Sequence, residues 1–168
     1  MLWLVVSVLG ASLLVVLLVR ALWVAGTAWV AHRRARANRC EREVPDFGPA
    51  QFDGRGTWSF RLPFGNKTLW AHVAGTPGSP SDAELRSLAF AREHLAALAG
   101  AALPQLSAVL HEWHVHESAT SAVLEGVSAY PAHPEPAFGL CFSTAADPDG
   151  VYEVRFRGLT AEAATRDD

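Results

Sequence analysis

The first thirty-one residues, Met1 to Ala31, form an apolar run that a single charged side chain, Arg20, interrupts. Leu2–Val19 has no ionisable side chain, and at about 1.5 Å per helical residue it is roughly 27 Å long, close to the ~30 Å hydrocarbon core of a bilayer. A single segment that enters lipid must be helical, because a helix satisfies its own backbone hydrogen bonds. The run therefore predicts a transmembrane anchor helix over residues 1–31.

Aromatic and basic residues mark the expected ends of this helix. Tryptophan prefers the interface between lipid and water, and arginine near a helix end can extend to the headgroups. The predicted membrane-interface residues are Trp3, Arg20, Trp23, Arg33, Arg34 and Arg36. The positive-inside rule then places the arginines, and everything after them, in the cytoplasm. We expect a single-pass protein of the bacterial inner (plasma) membrane, with its N-terminus outside.

Two further interpretations of the N-terminal run remain open. A cleaved secretory signal would use residues 25–28 as its cleavage site, but it needs a positive n-region and an apolar segment of about 7–15 residues, which this chain lacks. Small residues four apart, Ser7 with Ala11 and Ala21 with Ala25, have the spacing that lets helices pack closely. The anchor helix could therefore support a homo-oligomer.

Charge separates the N-terminal region from the rest of the chain. Residues 1–44 contain six arginines and two glutamates, a net charge of +4, whereas residues 45–168 carry eight basic and fifteen acidic side chains, a net charge of −7. An acidic domain argues against nucleic acid as a partner, because such binding requires phosphate neutralisation. It permits a basic protein partner, although many cytoplasmic domains are mildly acidic for solubility alone.

Alternating apolar residues predict two β-hairpins. Trp58, Phe60 and Leu62 alternate with polar residues before a Gly65-Asn66 turn, and the same period recurs over residues 138–142 and 152–156. Between the hairpins, Ser81 and Glu84 have capping-box spacing, and helical apolar periods before Gly100 and after Pro104 predict two helices. The expected fold is α+β: the transmembrane helix, then a small domain with an antiparallel sheet of two hairpins and two helices on one face.

This interpretation divides the chain into four segments. Residues 1–31 are the anchor, residues 32–50 a basic juxtamembrane segment and linker with helix-stopping prolines, and residues 51–160 the cytoplasmic α+β domain. Residues 161–168 are expected to form a polar tail. Residues 119–130 show no clear period.

One histidine cluster suggests metal chemistry. Imidazoles and carboxylates are the usual ligands of zinc, and the candidate ligands are His111, His114 and His116. On a helix, however, His111 and His114 lie about 60° apart while His116 is far from both, and the H-E-x-x-H spacing of metalloproteases is absent. We therefore expect no metal and no cofactor, with the histidines at an exposed helix C-terminus.

The soluble part resembles uncharacterised bacterial domains of the immunity-protein type from polymorphic toxin loci. The resemblance covers residues 50–160 and is carried by Phe52-Asp53-Gly54 with Trp58, by Leu62-Pro63-Phe64-Gly65-Asn66, by the helix after Ser81, and by Phe138-Gly139-Leu140, Gly150 and Val154-Arg155-Phe156. It implies a small α+β domain that binds a protein. The chain departs from such domains in its anchor and in lacking a tyrosine-rich second helix.

The expected function is therefore protein binding by a membrane-anchored domain, in an immunity-like role. No nucleophile elbow, phosphate loop or calcium loop is present in the sequence, and we predict no catalytic activity. The alternative is a membrane-tethered enzyme or small-ligand sensor whose pocket lies near Trp70, His72, Trp113 and His114, because clustered aromatic and polar side chains can line a ligand site.

Overall fold

The computed structural model describes residues 2–132 and 134–167, and for residues 2–16 and 18 it describes the backbone alone. The chain forms two compact units, Met1–Asn38 and Arg39–Asp168. In chain order the elements are α1 (Leu2–Asn38), β1 (Cys40–Val44), β2 (Gly48–Phe52), β3 (Thr57–Phe64), β4 (Lys67–Thr76), β5 (Ser79–Pro80), α2 (Asp82–Glu112), β6 (Val123–Tyr130), β7 (Ala137–Ser143), β8 (Val151–Arg157) and β9 (Thr160–Asp167).

The first unit is the single helix α1. The predicted transmembrane anchor is contradicted: among the described residues, no helix is both long and apolar enough to cross a membrane. The predicted inner-membrane localisation is wrong for the same reason.

The membrane-interface assignments depended on that anchor. Arg20, Trp23, Arg33 and Arg34 are exposed on α1, as is Arg36. The guanidinium of Arg33 lies 5.4 Å from the centre of the Trp29 ring. Trp3 falls outside the side chains that the structure describes.

The second unit is built on one sheet of nine strands formed by the described residues. Its order is β1-β2-β3-β4-β6-β7-β8-β9, and the short β5 pairs with the end of β4. Every adjacent pair is antiparallel except β4 and β6, which run parallel. The sheet is therefore mixed, with its parallel pair in the middle.

Helix α2 connects the two strands of the parallel pair and covers one face of the sheet. Its buried residues form one hydrophobic core with the alternate strand residues that face it, among them Trp58, Phe60, Phe138, Tyr152 and Phe156. The Ser87 hydroxyl donates to the Tyr130 carbonyl at 2.9 Å, which fixes the helix against β6. Burial of these apolar side chains is the main stabilising contribution, at roughly 1.5–3 kcal/mol for each large side chain.

The predicted hairpins are present as β3–β4 and β7–β8, but the predicted fold class is wrong because the sheet is larger and mixed. Strand β6 was hidden by a bulge between Leu124 and Gly126, which shifts the alternation by one residue. Strand β9 has a bulge opposite the Arg155–Phe156 step, so the expected polar tail is an edge strand instead. Both irregularities remove the period of two on which strand prediction depends.

The segment predicted as a linker, residues 32–50, contains the end of α1, the whole of β1 and the start of β2. Strands β1 and β2 form a hairpin whose turn places Asp46 and Gly48 at positive φ. Charged side chains occupy the middle of β1, which is usual at an unprotected sheet edge because charge discourages pairing with other chains. Because of these charged residues, β1 lacks an apolar alternation and was not predicted as a strand.

The two predicted helices are one continuous helix, α2, with Pro104 inside it. Proline removes one hydrogen bond and its ring crowds the carbonyl four residues earlier, here that of Gly100. Gly100 and Pro104 are both exposed, so that carbonyl can bind water, and the buried stripe Leu98, Ala102 and Leu106 continues across the break. Continuous packing therefore overrides the local propensity.

The start of α2 follows the prediction in part. The Ser81 side chain accepts a hydrogen bond from the Glu84 amide at 3.4 Å, as expected of an N-cap. The Glu84 carboxylate, however, accepts from the Ala74 amide at 2.5 Å instead of returning to Ser81. The helix is thereby fixed to β4 at the point where the crossover begins.

Replacing Pro104 with alanine should raise the free energy of unfolding by about 1–3 kcal/mol, because the missing intrahelical hydrogen bond is restored at an exposed position. Urea unfolding followed by circular dichroism measures the change. Ser107→Ala, an exposed substitution one turn away, should alter it by no more than about 0.5 kcal/mol. A Pro104→Ala variant no more stable than the parent would contradict the prediction.

Candidate functional site: the sheet face opposite α2

The sheet face turned away from α2, called here the open face, carries the polar and aromatic residues of the central strands. Its residues follow from the register: on β4 and β6, Trp70 is opposite Gly126 and His72 is opposite Ser128. On β7 and β8, Cys141 is opposite Glu153 and Gly139 is opposite Arg155. Each of these residues lies next to a strand neighbour that faces the core, so each is on the open face. Together they form two rows across the strands, one of Trp70, Gly126, Cys141 and Glu153 and the other of His72, Ser128, Gly139 and Arg155.

One side of the open face is formed by aromatic and basic side chains of β3 and β4. Trp70 is 44% exposed, and the guanidinium of Arg61 lies 4.9 Å from the centre of its ring, a cation–π contact. Next to it, Nδ1 of His72 is 3.2 Å from the Ser59 hydroxyl. Loss of hydration lowers the pKa of His72, which leaves the ring neutral near pH 7. No described carboxylate is hydrogen-bonded to this ring.

The other side is formed by a closed set of contacts among Tyr130, Glu153 and Arg155. The Tyr130 hydroxyl donates to Glu153 Oε2 at 2.6 Å, Arg155 Nε donates to Glu153 Oε1 at 2.9 Å, and the Arg155 guanidinium lies 5.7 Å from the centre of the Tyr130 ring. Burial and the bond to Glu153 raise the pKa of Tyr130. The phenol is therefore held neutral as a donor.

Gly139 makes this arrangement possible. Glu153 reaches Tyr130 by lying across the intervening strand β7, directly over Gly139. A Cβ atom on Gly139 would be 2.5 Å from the Glu153 carboxyl carbon. Any other residue at this position would force the carboxylate away from Tyr130.

The middle of the open face consists of small side chains. Ser128 and Cys141 are half-buried there, with their oxygen and sulfur atoms 3.7 Å apart. Burial raises the pKa of the Cys141 thiol, so it is protonated at neutral pH and is a poor nucleophile. Gly126 belongs to the same strip, and a Cβ there would meet the Trp70 carbonyl oxygen at 2.6 Å.

Carboxylates occupy the periphery of the open face. Glu41 and Glu43 on β1 share the face of Gln51, and Glu125, at the β6 bulge, accepts a hydrogen bond from Ser143 at 2.8 Å. Asp167 lies on the opposite edge strand, beside Val151. Arg155 and Arg157 are paired with Glu153 and Glu162, whereas Arg61 keeps its charge over the Trp70 ring. Carboxylates therefore outnumber arginines on the open face, and they lie mainly at its edges.

A second polar cluster lies on the α2 side of the sheet and has a structural role. Arg166 donates from Nε and Nη2 to the two carboxylate oxygens of Asp147 at 2.8 and 3.2 Å, and the Tyr152 hydroxyl donates to the same carboxylate. The Arg166 guanidinium lies 4.9 Å from the centre of the Trp113 ring. These contacts join the β7–β8 loop, β9 and the end of α2. They lower the pKa of Asp147 to about 2, chiefly through the bond from Arg166.

The predicted histidine cluster lies at the C-terminal end of α2. His111, His114 and His116 are exposed and line a cleft of about 410 Å³. The backbone of His114 has a positive φ of 55°, just after the last residue of α2. Within the described part of the chain, no group of three histidine, cysteine or acidic residues has a geometry that could hold a metal ion. The adjacent Glu117 carboxylate accepts from the Ala146 amide at 2.9 Å and so has a structural contact.

The predicted composite pocket does not assemble. Trp70 and His72 lie on the open face, whereas Trp113 contacts Arg166, whose register partner Tyr152 faces the core. The sheet therefore separates the two pairs.

What the sequence analysis missed was the cluster of Tyr130, Glu153 and Arg155. The only signal for it was the outward position of Glu153 and Arg155 in the alternation of β8, because the strand that carries Tyr130 was not recognised.

Comparison with protein-family models, with curated proteins and with solved structures found no match for this chain. The resemblance to immunity-protein domains therefore stays a prediction.

Glu153→Gln should lower the pKa of Tyr130 toward the ordinary phenol value. The substitution removes the negative charge that disfavours phenolate, and burial remains as the main cause that raises the pKa. Tyrosine-selective ¹³C NMR during an alkaline titration resolves the two tyrosines of the chain. Tyr152, which bonds to Asp147 instead, is the internal control and should titrate as in the parent. An unchanged Tyr130 titration would show that Glu153 does not hold the phenol.

Asp147→Asn should remove a stabilising contribution that depends on pH. Because the folded pKa is depressed to about 2 from the ordinary value of 3.8, the contribution is complete above the unfolded value and is lost as pH falls from about 4 to 2. The difference in unfolding free energy between parent and variant should therefore be largest near neutral pH and shrink below pH 4. A difference independent of pH would contradict this assignment.

Proposed function

We propose that this chain is a protein-binding module and that the open face is its docking surface for a basic partner. One observation carries the proposal: two arginine-capped rings, one of them an exposed tryptophan, lie on a sheet face that no other element of residues 39–167 covers and whose periphery carries carboxylates. Tryptophan, tyrosine and arginine are the residues that most often dominate binding energy at protein interfaces.

The chemistry of the open face favours binding over catalysis. Cys141 is held as a thiol, Tyr130 as a neutral phenol and His72 as a neutral imidazole, while the Glu153 carboxylate is occupied by two donors. Such a surface can donate and accept hydrogen bonds, but none of these groups is an activated nucleophile. An immunity-like role, in which the partner is a toxin, is one form that this function would take.

Electrostatics supports a basic partner. The peripheral carboxylates of Glu41, Glu43, Glu125 and Asp167 attract cations, and residues 45–168 carry a net charge of −7. Complementary charge at the rim mainly raises the association rate and selects among partners, whereas buried aromatic contacts supply most of the affinity. Trp70 is the expected centre of those contacts.

Trp70→Ala should abolish capture of the partner, and Trp113→Ala should leave it unchanged. The two tryptophans are closely matched, since each is about half exposed with an arginine 4.9 Å from its ring, but they lie on opposite faces of the sheet. Quantitative mass spectrometry after in-cell crosslinking in the native host, with the full chain as bait, measures the difference. A net basic protein lost only with Trp70→Ala is the expected result. Equal capture by both variants would exclude the open face.

A charge test complements this comparison. Glu41→Lys combined with Glu43→Lys should slow association with the captured partner several-fold at low salt and leave dissociation nearly unchanged, because rim charges steer encounter. Surface plasmon resonance resolves the two rates. A change confined to the dissociation rate would place these carboxylates inside the contact instead of at its rim.

A further inference from the structure

Helix α1 carries most of the large apolar side chains that the described part of the chain exposes. On this helix they are Leu17, Val19, Leu22, Trp23, Val24, Trp29 and Val30, each at least 41% exposed. A contiguous exposed apolar surface of this kind marks a site of contact with another molecule. This surface is distinct from the open face, because it belongs to the first unit of the chain.

The bulky residues collect on one side of α1. At 100° per residue, five of them project within about 60° of the direction of Gly26, namely Val19, Leu22, Trp23, Trp29 and Val30. The other residues between positions 19 and 32 are all small or polar except Val24. The side of α1 that these five residues and Gly26 form is called here the Gly26 face.

Gly26 leaves a gap in the middle of this face. A Cβ atom on Gly26 would meet nothing within 4 Å. A hollow of about 580 Å³ lies beside it, lined in part by Leu22, Trp23 and Val30. Because no side chain stands at this point, a second helix can approach to an axis separation of ~8 Å, the short end of the range for packed helices.

The Gly26 face is complementary to itself. Leu22 and Val30 lie four residues before and after Gly26, and Trp23 and Trp29 lie three residues before and after it. A two-fold axis brings the same surface of two copies together. In an antiparallel pair centred on Gly26, Leu22 of one copy therefore lies beside Val30 of the other, and Trp23 lies beside Trp29.

Charge selects the antiparallel arrangement. Arg33, Arg34 and Arg36 lie close together at the C-terminal end of α1. A parallel pair would bring the arginines of both copies to the same end, where like charges repel. An antiparallel pair keeps the two clusters apart and places each near the N-terminal half of the other helix.

We propose that this chain forms a homodimer in which the Gly26 faces of two α1 helices pack antiparallel. The two helices overlap over residues 14–38, a length of about 36 Å. Removal of the leucine, valine and tryptophan side chains from water drives the association. The inference does not depend on the proposed function, because the open face takes no part in this contact.

Disulfide formation between introduced cysteines tests the pairing in the full chain. One sample carries Leu22→Cys, a second carries Val30→Cys, and a third is their mixture, all under mild oxidation. In the antiparallel dimer the two introduced thiols of the mixture come within the ~7 Å Cα separation that a disulfide spans, whereas like variants are about 12 Å apart along the axis. We expect the mixture to give several-fold more linked dimer than either variant alone. Cys40 and Cys141 are present in every sample, so the parent chain measures their background.

Substitutions test the Gly26 face itself. Gly26→Glu places two carboxylates against each other at the closest approach and should weaken the dimer by at least about tenfold. Ala28→Glu adds the same charge about 160° away around the helix and should change the dimerisation constant by no more than about twofold. Sedimentation velocity measures the constant, and circular dichroism establishes that both variants keep their helix.

Three results would overturn the inference: a monomeric parent chain, a dimer insensitive to Gly26→Glu, and equal disulfide yields in the three samples. Linkage of each variant with itself, instead of in the mixture, would mean a parallel pair. A chain that stays monomeric and binds phosphatidylcholine vesicles would assign the Gly26 face to lipid. None of these results bears on the open face, which the Trp70→Ala comparison tests separately.

Discussion

The parallel pairing of β4 with β6 is the constraint on which the rest of the second unit depends. Parallel neighbours cannot be joined by a tight turn, so the chain must travel the length of the sheet before it returns. The 31-residue helix α2 makes that crossover, and its buried stripe supplies the core against which both halves of the sheet pack. Near its N-terminus, α2 is attached to β4 through Glu84 and to β6 through Ser87.

The same pairing creates the open face. Each hairpin alone would present two strands, but the junction of β4 and β6 places Trp70 and His72 beside Ser128, and β7 and β8 continue the surface. Gly126 is required at this junction because it lets the backbones of β4 and β6 approach, and Gly139 on β7 is required because it lets Glu153 cross that strand to Tyr130. A surface of neutral donors with acidic edges results, which suits recognition of another protein.

Local pattern predicted elements well where alternation or capping was regular. The hairpins around Gly65 and before Gly150, and the Ser81 cap, follow directly from side-chain period and turn chemistry. Bulges defeated the same logic in β6 and β9, and charge concealed the edge strand β1. At Pro104 the sequence indicated a break that packing overrides. Of the candidate ligands, His111 lies in the last turn of α2 and His114 and His116 follow its end, whereas the pocket predicted to join Trp70 with Trp113 is divided by the sheet.

The sequence by itself determined the short-range structure: the alternation of the hairpin strands, the N-cap of α2, and the position of Glu153 and Arg155 on the polar face of β8. These follow from the neighbours of each residue along the chain. Only the tertiary structure decided that β4 and β6 are adjacent, that α2 packs on one face of the sheet and no other element of residues 39–167 covers the opposite face, and that Tyr130 meets Glu153. These contacts join residues far apart in sequence. They form because the residues bury a shared core, and the local pattern of the sequence does not show which distant residues share it.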